Sequence, residues 1–355
     1  MARYLVIRLS ALGDVAMLLR LLYAVARANE QHDFILLTQP FMTELLVDPP
    51  DNLEAMAIDT RREERSLLGL MRYARRLRLE RFDAVLDLHD VLRTKFLRRY
   101  LSLWGIPVRH LVKPRRERRA LLHRPAGAPI QPVPPMWTLY RKVFVEAGLE
   151  VPDLPPPIAL HPSLLETFAR LHPELVQTPR GRLRLGIAPF ASTATKTYAP
   201  ERMKEVLAAL LVADGRFELY LFGAPGREAQ QLEAWAKELP ELRTVAGLLD
   251  FSEELLLIAT LDAMLSMDSA NMHLASLVGV RCFSIWCCTH PAAGFLGIGQ
   301  QLEDCLQPEG MEHRPCSIFG DNKECHSEGL SCSEAMPSAQ IVQHITAWAD
   351  TQLRP

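Results

Sequence analysis

The chain has 355 residues, of which 48% are hydrophobic, so it is too large for one small module and long enough for two α/β domains with separate cores. No apolar run approaches the ~20 residues that span a bilayer, and the first residues turn polar too soon for a secretory signal, so we expect a cytoplasmic protein. The seven cysteines do not resemble a secreted disulfide framework.

Charge is distributed unevenly along the chain. Residues 61–124 hold 19 of the 40 Lys and Arg residues but only 7 of the 42 Asp and Glu residues, whereas the net charge of the whole chain is -2. Such a segment indicates contact with a phosphate-bearing partner or an anionic membrane surface, or else a solvated arginine-rich helix face. It lacks the interleaved aromatic side chains of a stacking platform, so we expect no nucleic-acid partner.

The first half of the chain alternates short apolar runs with helical patterns. Strands are predicted at residues 4–9, 34–38 and 84–88, and a helix at 15–28 follows the first strand through a Gly-containing turn. Ten of the 26 prolines lie between residues 125 and 162, around a helical pattern at 136–148. This region indicates where the chain passes between domains. We predict a first Rossmann-like domain over residues 1–150 and a linker over 151–165.

The second half repeats the same alternation, which is typical of a parallel, doubly wound sheet. We predict a second Rossmann-like domain over residues 166–335, and a C-terminal helix over 336–355 that packs back toward the first domain. The predicted strands are 183–188, 218–222, 263–267 and 281–285, and the predicted helices are 199–212, 227–239, 252–260 and 271–278.

The turn after the first strand is a privileged position, because ligands of open parallel sheets bind beyond the carboxyl ends of the strands. Gly13 leaves room there for a substrate to approach the backbone, and Asp14 could serve as a general base in a shielded cleft. Alternatively, Asp14 only caps the start of the helix.

Polar side chains also follow the strands of the second half. Hydroxyls and an ammonium group after the first strand could hold a diphosphate, and a helix start after a later strand supplies N–H groups for an anion. Taken singly, each of these residues is ordinary loop chemistry, and a lone histidine is more often structural. The candidates are Ser192, Thr193, Thr195, Lys196, Glu228, Asp268, Ser269, Asn271 and His273.

Three motifs in order resemble glycosyltransferase family 9, the heptosyltransferases, in the form of its Bacteroidetes-type members. They are RLSALGDVAM (residues 8–17), SMDSANMHLASLVGV (266–280) and SIWCCTHPAAGF (284–295), and the cysteine-bearing segment 313–332 is similar to the tail of the family. The resemblance covers nearly the whole chain. It implies a GT-B fold, α/β with two Rossmann-like doubly wound domains that face each other across a cleft.

The resemblance also implies roles for residues of the motifs. Asp14 would be the catalytic base, and Lys196 would contact the diphosphate of the donor. Asp268 and the backbone after it would hold the donor sugar, Glu228 the ribose, and Gly247 to Leu249 the base. The sequence departs from the common family pattern at Ala270, which replaces a glycine, and at Cys287 and Cys288, which replace Gly-Ala.

The implied reaction is an inverting transfer of a sugar, with ADP-heptose as the donor favoured by the family. The anionic acceptor would be an inner-core glycolipid of lipopolysaccharide at the inner-membrane surface, bound by the basic first domain through Arg8, His89, Arg93 and Lys95. His89, Arg93 and Lys95 could equally be ordinary surface charge where a helix begins after a strand. No D-x-D pair occurs in the chain, so we expect no metal dependence and no cofactor.

Two other classes of function remain open. A sugar-nucleotide epimerase could share the fold, and a non-catalytic homologue could bind a nucleotide sugar only. A nicotinamide dehydrogenase is disfavoured, since neither first strand is followed by G-x-G-x-x-G. Zinc is also disfavoured, because the spacing of Cys305, Cys316, Cys325 and Cys332 lacks the short pair of structural zinc sites.

Overall fold

A computed structural model describes residues 1–125, 127–177, 181–213, 215–322 and 329–353. The chain divides into two compact units. Met1–Pro114 and Pro134–Leu160 form the first unit, and Arg115–Val133 and His161–Pro355 form the second. The chain passes from one unit to the other at residues 114–115, 133–134 and 160–161. The last two of these points lie within the proline-rich region.

The first unit is built on a parallel sheet whose described strands are ordered β3-β2-β1-β4-β5. The predicted strands at 4–9, 34–38 and 84–88 correspond to β1, β2 and β4, and the short strands β3 and β5 gave no clear sequence pattern. In chain order, the elements to residue 160 are β1 (Arg3–Ile7), α1 (Leu12–Ala28), β2 (Asp33–Thr38), β3 (Leu53–Ala57), α2 (Leu67–Leu79), β4 (Ala84–Asp87), α3 (Leu92–Ser102), β5 (Val108–His110), α4 (Arg115–Leu122) and α5 (Met136–Glu146).

The segment Pro134–Leu160 belongs to the first unit because it packs on the side of α1 that faces away from the sheet. Almost every side chain of α1 is buried, although one face of a helix suffices to pack on a sheet. Helix α5 packs against α1. The Nε of buried Arg20 donates to the carbonyl of Pro155 at 3.0 Å, and Nδ2 of Asn29 donates to that of Glu150 at 2.8 Å.

The second unit has a parallel sheet whose described strands are ordered β11-β10-β9-β6-β7-β8. Both sheets confirm the predicted doubly wound α/β class. The remaining elements are α6 (Pro162–Leu171), α7 (Pro173–Val176), β6 (Leu183–Ala188), α8 (Pro200–Val212), β7 (Phe217–Leu221), α9 (Arg227–Glu238), β8 (Arg243–Thr244), α10 (Phe251–Ala259), β9 (Ala263–Met267), α11 (Ala270–Val278), β10 (Arg281–Ile285), β11 (Cys305–Leu306), α12 (Cys332–Ala335) and α13 (Ser338–Gln352).

Helix α4 belongs to the second unit, although the sequence placed its arginines in a first domain that extends to residue 150. The reason is the burial of Arg118. Its guanidinium carbon lies 4.9 Å from the ring centre of Phe295 and 5.2 Å from that of Phe319. Leu121 is buried beside it in a small apolar cluster of the same unit. The basic segment 61–124 is therefore divided between the two units.

The C-terminal helix α13 also packs within the second unit, whereas we expected it to pack toward the first. Its apolar side chains Ile341, Ile345 and Trp348 join the core of the second sheet, and the helix contacts α8. Apolar burial against this core stabilises the position of the helix in the second unit. Within the described residues, no helix combines the length and the hydrophobicity that crossing a bilayer requires.

Candidate functional site

Asp14 lies in the first turn of α1, directly after β1, and its carboxylate is held by two side chains. Oδ2 is 2.5 Å from Nη2 of Arg8, and Oδ1 accepts the hydroxyl of Tyr140 at 3.2 Å. Oδ2 also accepts the N–H of Ala11 at 3.3 Å. The side chain keeps 19% exposure, so a substrate can still reach this oriented carboxylate.

Arg8 is buried beside Asp14 and serves as its counter-ion. Burial is the largest single effect and lowers the pKa of Arg8, but the charge and hydrogen bond of Asp14, together with Tyr140 and Asp87, outweigh it, so the pKa of Arg8 is raised. The ring of Tyr140 lies 5.5 Å from the guanidinium carbon of Arg8. Arg8 thus stabilises the ionised form of Asp14, the form that a base requires.

His89 follows β4 and faces the same turn. Its Nδ1 accepts the N–H of Leu9 at 3.3 Å, and its Nε2 lies 3.3 Å from Oγ of Ser10. Burial, together with the charges of Arg8 and Lys113, lowers the pKa of His89 to about 3. The ring is therefore neutral near pH 7. Because Nδ1 accepts, Nε2 carries the proton and donates to Ser10.

A cavity of about 430 Å³ opens at this carboxyl edge of the first sheet. Its lining residues follow four neighbouring strands of the sheet. Three of these residues are arginines. Such a cavity suits an anionic ligand. Lys95 lies instead 3.5 Å from Oδ1 of Asp90, in an ion pair. The lining residues are Leu9, Ser10, Gln39, Met42, Thr60, Arg61, Arg65, His89, Val91 and Arg93.

In the second unit, the structure brings Lys196 and Asp268 together at the carboxyl edge of the sheet. Nζ of Lys196 lies 2.8 Å from Oδ2 of Asp268, which also accepts the hydroxyl of Thr289 at 2.8 Å. The two ionic side chains are only 13% and 6% exposed. Lys196 comes from the loop after β6, and Asp268 follows β9 directly.

The loop that carries Lys196 packs against the segment around Gly320 and forms a hydrogen bond with it. Oγ1 of Thr195 donates to the carbonyl of Gly320 at 2.9 Å, and lies 3.4 Å from Oγ1 of Thr193. A Cβ atom at Gly320 would lie 2.2 Å from Cγ of Lys196. Ser192 is exposed at the start of this loop. The cysteine-bearing tail therefore supports the predicted diphosphate loop.

Helix α11 begins beside Asp268. Ser269 precedes the helix, and its Oγ lies 3.1 Å from Oγ of Ser266, while Ala270 and Asn271 form the first turn. The N–H groups of a first turn have no acceptor within the helix and suit an anion. His273 is buried one turn further along, which fits a structural role.

Glu228, at the start of α9, and Gly247 both lie beside the turn that precedes this helix. Oε2 of Glu228 accepts the N–H of Ala224 at 2.7 Å, and a Cβ at Gly247 would lie 3.5 Å from Cβ of Pro225. Glu228 borders a cavity of about 560 Å³ together with Thr197. Leu249 borders a different cavity of about 520 Å³, on the α7 side. The structure therefore does not place all the predicted donor residues around one cavity.

Several side chains of these sites gave no sequence signal. Tyr140 lies in an amphipathic helix and Thr289 in a loop, and neither sequence position predicts a contact with a distant carboxylate. Gly320 could not be distinguished from other loop glycines. Arg61 and Arg65 were counted in the basic segment, but nothing in the sequence separated them from its other arginines.

Cysteines of the described residues are free thiols, and those of the tail lie near the loop that carries Lys196. Sγ of Cys332 is 3.9 Å from Nε2 of His313, and Sγ of Cys316 is 3.7 Å from the carbonyl of Cys288. Burial raises the pKa of Cys305 to about 11. Cys325 lies outside the described residues. Among the residues that are described, no three His, Cys, Asp or Glu side chains cluster in a way that could hold a metal ion.

The fold is of the GT-B class, since the chain matches solved glycosyltransferases of that fold over nearly its whole length. E. coli ADP-heptose LPS heptosyltransferase II has a TM-score of 0.70 and 15% identity over 99% of this chain and 100% of that chain. A glycosyl transferase family 9 protein from Veillonella parvula has a TM-score of 0.69 and 16% identity over 99% and 98%. E. coli heptosyltransferase WaaC, solved with ADP-2-deoxy-2-fluoro heptose, has a TM-score of 0.62 and 14% identity over 90% and 97%.

The sequence assigns the family within that class. The model of glycosyltransferase family 9 (heptosyltransferase) matches residues 70–315, more than half of the chain. The chain belongs to this family, as the motifs predicted, and the class of activity is glycosyl transfer. No curated protein sequence matches the chain.

Proposed function

We propose that the protein is an inverting glycosyltransferase that transfers heptose from ADP-heptose to an inner-core glycolipid of lipopolysaccharide. The observation that carries this proposal is the carboxylate of Asp14, which Arg8 and Tyr140 orient at the carboxyl edge of the first sheet. Ligands of open parallel sheets bind at that edge. The donor is inferred from the family and from a structural relative that was solved with an ADP-heptose analogue.

In the proposed reaction, Asp14 takes the proton of an acceptor hydroxyl while the oxygen bonds to the anomeric carbon of the donor sugar. The bond from that carbon to the diphosphate oxygen breaks, and ADP leaves with the bonding electron pair. Attack from the opposite face inverts the anomeric configuration. Arg8 keeps Asp14 ionised before the proton moves, and Tyr140 keeps one carboxylate oxygen in place.

Lys196 and the start of α11 are proposed to neutralise the diphosphate as it leaves. Lys196 is nearly buried, so its charge acts with little solvent screening. Its ion pair with Asp268 holds the ammonium in position before the donor arrives. Asp268 and the residues after it would then hold the donor sugar, and no metal ion is needed for this step.

The acceptor is proposed to bind the first unit. The cavity beside His89 presents Arg61, Arg65 and Arg93, which suit the phosphate and carboxylate groups of an inner-core glycolipid. Arg8 and Lys95 are already engaged by Asp14 and Asp90, so we assign the anion-binding role to these three arginines. We place the protein at the cytoplasmic face of the inner membrane, where such an acceptor is anchored.

The test measures release of ADP from ADP-heptose with and without acceptor glycolipid. We expect release only with acceptor, no effect of a chelator, and a product whose anomeric configuration is opposite to that of the donor. Asp14→Asn should lower kcat by about 10²-fold or more at unchanged donor affinity. Asp153→Asn is the matched control, because the carboxylate of Asp153 is fully exposed.

Three outcomes would contradict the proposal. Conversion of ADP-heptose to an epimer without acceptor would indicate an epimerase. Donor binding without turnover on the acceptor would indicate a non-catalytic homologue. Normal turnover by Asp14→Asn would remove this residue from the catalytic step.

A further inference from the structure

Three leucines at the starts of α2 and α3 point into solvent. Leu67 and Leu68, in the first turn of α2, are 63% and 68% exposed, and Leu92, the first residue of α3, is 87% exposed. The core-facing leucines of the same helices, Leu70 and Leu97, are buried. The exposed leucines are therefore additional to the apolar faces that hold these helices on the sheet.

These leucines share one edge of the first unit. Helix α2 follows β3 and α3 follows β4, so both helices start at the carboxyl edge of the parallel sheet. The arginine-lined cavity opens at that edge, and its border residues Arg65 and Arg93 are close neighbours in sequence of Leu67 and Leu92. Exposed apolar side chains thus lie near a site suited to anions, without lining its cavity.

The charge around the leucines is strongly positive. Arg61, Arg62, Arg65 and Arg93 are all exposed. Between residues 61 and 72 the acidic side chains are Glu63, which is exposed, and Glu64, which is buried and accepts the N–H of Asp59 at 2.9 Å. Exposed leucines among arginines are typical of surfaces that insert into the headgroup region of an anionic bilayer.

We propose that a leucine-arginine rim, formed by Leu67, Leu68 and Leu92 with Arg62, rests on an anionic lipid bilayer. The leucines enter the boundary between headgroups and acyl chains, and Arg62 binds a lipid phosphate, while the arginines of the adjacent cavity add positive charge that attracts the anionic surface. This inference rests on the proposed function, since it explains how a membrane-anchored acceptor reaches the cavity without leaving the bilayer. It assigns membrane contact to the starts of α2 and α3 and not to the arginines of α4.

The chain offers matched controls for the leucines. Leu103 is 84% exposed and follows the C-terminus of α3, at the opposite edge of the sheet, and Leu171 is 64% exposed in the second unit. The test variant is Leu67→Gln/Leu68→Gln/Leu92→Gln, and the control is Leu103→Gln/Leu171→Gln. Arg62→Gln tests the charge, because Arg62 is exposed and does not border the cavity.

The experiment measures flotation of the full chain with vesicles of phosphatidylglycerol and phosphatidylcholine. Wild type and the leucine control should bind, more weakly as salt rises. The triple leucine variant should bind at least about tenfold more weakly. Arg62→Gln should bind up to about fivefold more weakly, and only where phosphatidylglycerol is present.

A second readout separates this inference from the proposed function. Sugar transfer to a soluble, delipidated acceptor should be the same for wild type and the triple leucine variant, because these leucines do not border the cavity. Absence of transfer by every form would contradict the proposed function and leave flotation as an independent result. Equal flotation of wild type and the triple variant would overturn the rim. Lipid-free self-association that the triple variant abolishes would also overturn it, by assigning the face to a second copy.

Discussion

The hydroxyl of Tyr140 lies 3.2 Å from Oδ1 of Asp14, and the same ring lies 5.5 Å from the guanidinium carbon of Arg8, the ion-pair partner of Asp14. One fully buried side chain from α5 thus contacts both members of the pair. Different parts of the side chain make the two contacts. The hydroxyl donates a hydrogen bond to the carboxylate, and the ring packs on the guanidinium. Tyr140 is a positioning residue for the proposed base.

Tyr140→Phe should therefore lower kcat by about fivefold, since it removes one hydrogen bond of about 1 kcal/mol and keeps the ring. Tyr73→Phe is the control, because Tyr73 also loses a buried hydrogen bond, at 2.6 Å to the carbonyl of Ala57, without contact to Asp14. Steady-state kinetics and thermal unfolding of both variants would be compared. Equal loss of stability with equal kcat would contradict a role for Tyr140 in positioning.

How far the sequence predicted the fold depends on the length of each pattern. The helices at α1, α8 and α13 and the strands at β6, β9 and β10 were predicted to within a few residues, since each has a continuous apolar pattern. The strands β8 and β11 have two residues each and show no periodicity. The placement of residues 115–133 in the second unit, inside a predicted first domain of residues 1–150, depends on contacts distant in sequence, which no local pattern contains.

The candidate site divides in the same way. Asp14, Lys196 and Asp268 lie within motifs or directly after predicted strands, so strand–turn–helix logic identified them. Tyr140 and Thr289 reach those carboxylates from other elements, and their contacts depend on the tertiary fold. No local sequence rule reports such a contact.

Folding stability should depend on His89 at mildly acidic pH. The pKa of His89 is lowered to about 3 in the folded chain, whereas an unfolded histidine titrates near pH 6.5. Below pH 6.5 the unfolded chain binds a proton that the folded chain does not, so the free energy of unfolding falls as pH decreases. This contribution is fully present above the unfolded pKa and is lost toward pH 3.

His89→Asn should reduce this loss, because Oδ1 of Asn can accept the N–H of Leu9 and carries no titrating group. Between pH 7 and pH 5 the variant should lose about 2 kcal/mol less stability than wild type. Urea unfolding at several pH values measures the difference. Parallel curves for the two proteins would show that His89 is protonated in the folded chain.

The ion pair between Lys196 and Asp268 predicts a particular pattern of non-additivity. Lys196→Ala should weaken ADP binding by about 1.5 to 3 kcal/mol, because a charged hydrogen bond is lost and the nearly buried carboxylate of Asp268 then faces the diphosphate. Lys196→Ala/Asp268→Asn should recover part of this affinity. Calorimetry with ADP checks both variants, and Lys142→Ala, an exposed lysine, is the control. Unchanged affinity in Lys196→Ala would place the diphosphate elsewhere.

Gly320 should control the position of Lys196 without touching the donor. Gly320 has φ +71°, and an added Cβ would lie 2.2 Å from Cγ and 2.3 Å from Cδ of Lys196. Alanine at this position therefore loses stability for two reasons: its backbone must adopt a left-handed conformation, and its Cβ displaces the side chain of Lys196. A substitution at Gly310 has only the first of these effects, since its φ is +70° and an added Cβ would have no atom within 4 Å.

Gly310→Ala should lose only backbone stability, about 1 kcal/mol, and should bind ADP like wild type. Gly320→Ala should lose at least as much stability and, in addition, bind ADP about tenfold more weakly, because Lys196 must leave its place beside Asp268. Calorimetry and urea unfolding on the two variants check both expectations. If Gly320→Ala bound ADP as tightly as Gly310→Ala, the tail around Gly320 would have no part in holding the lysine, and its contact with Thr195 would be structural alone.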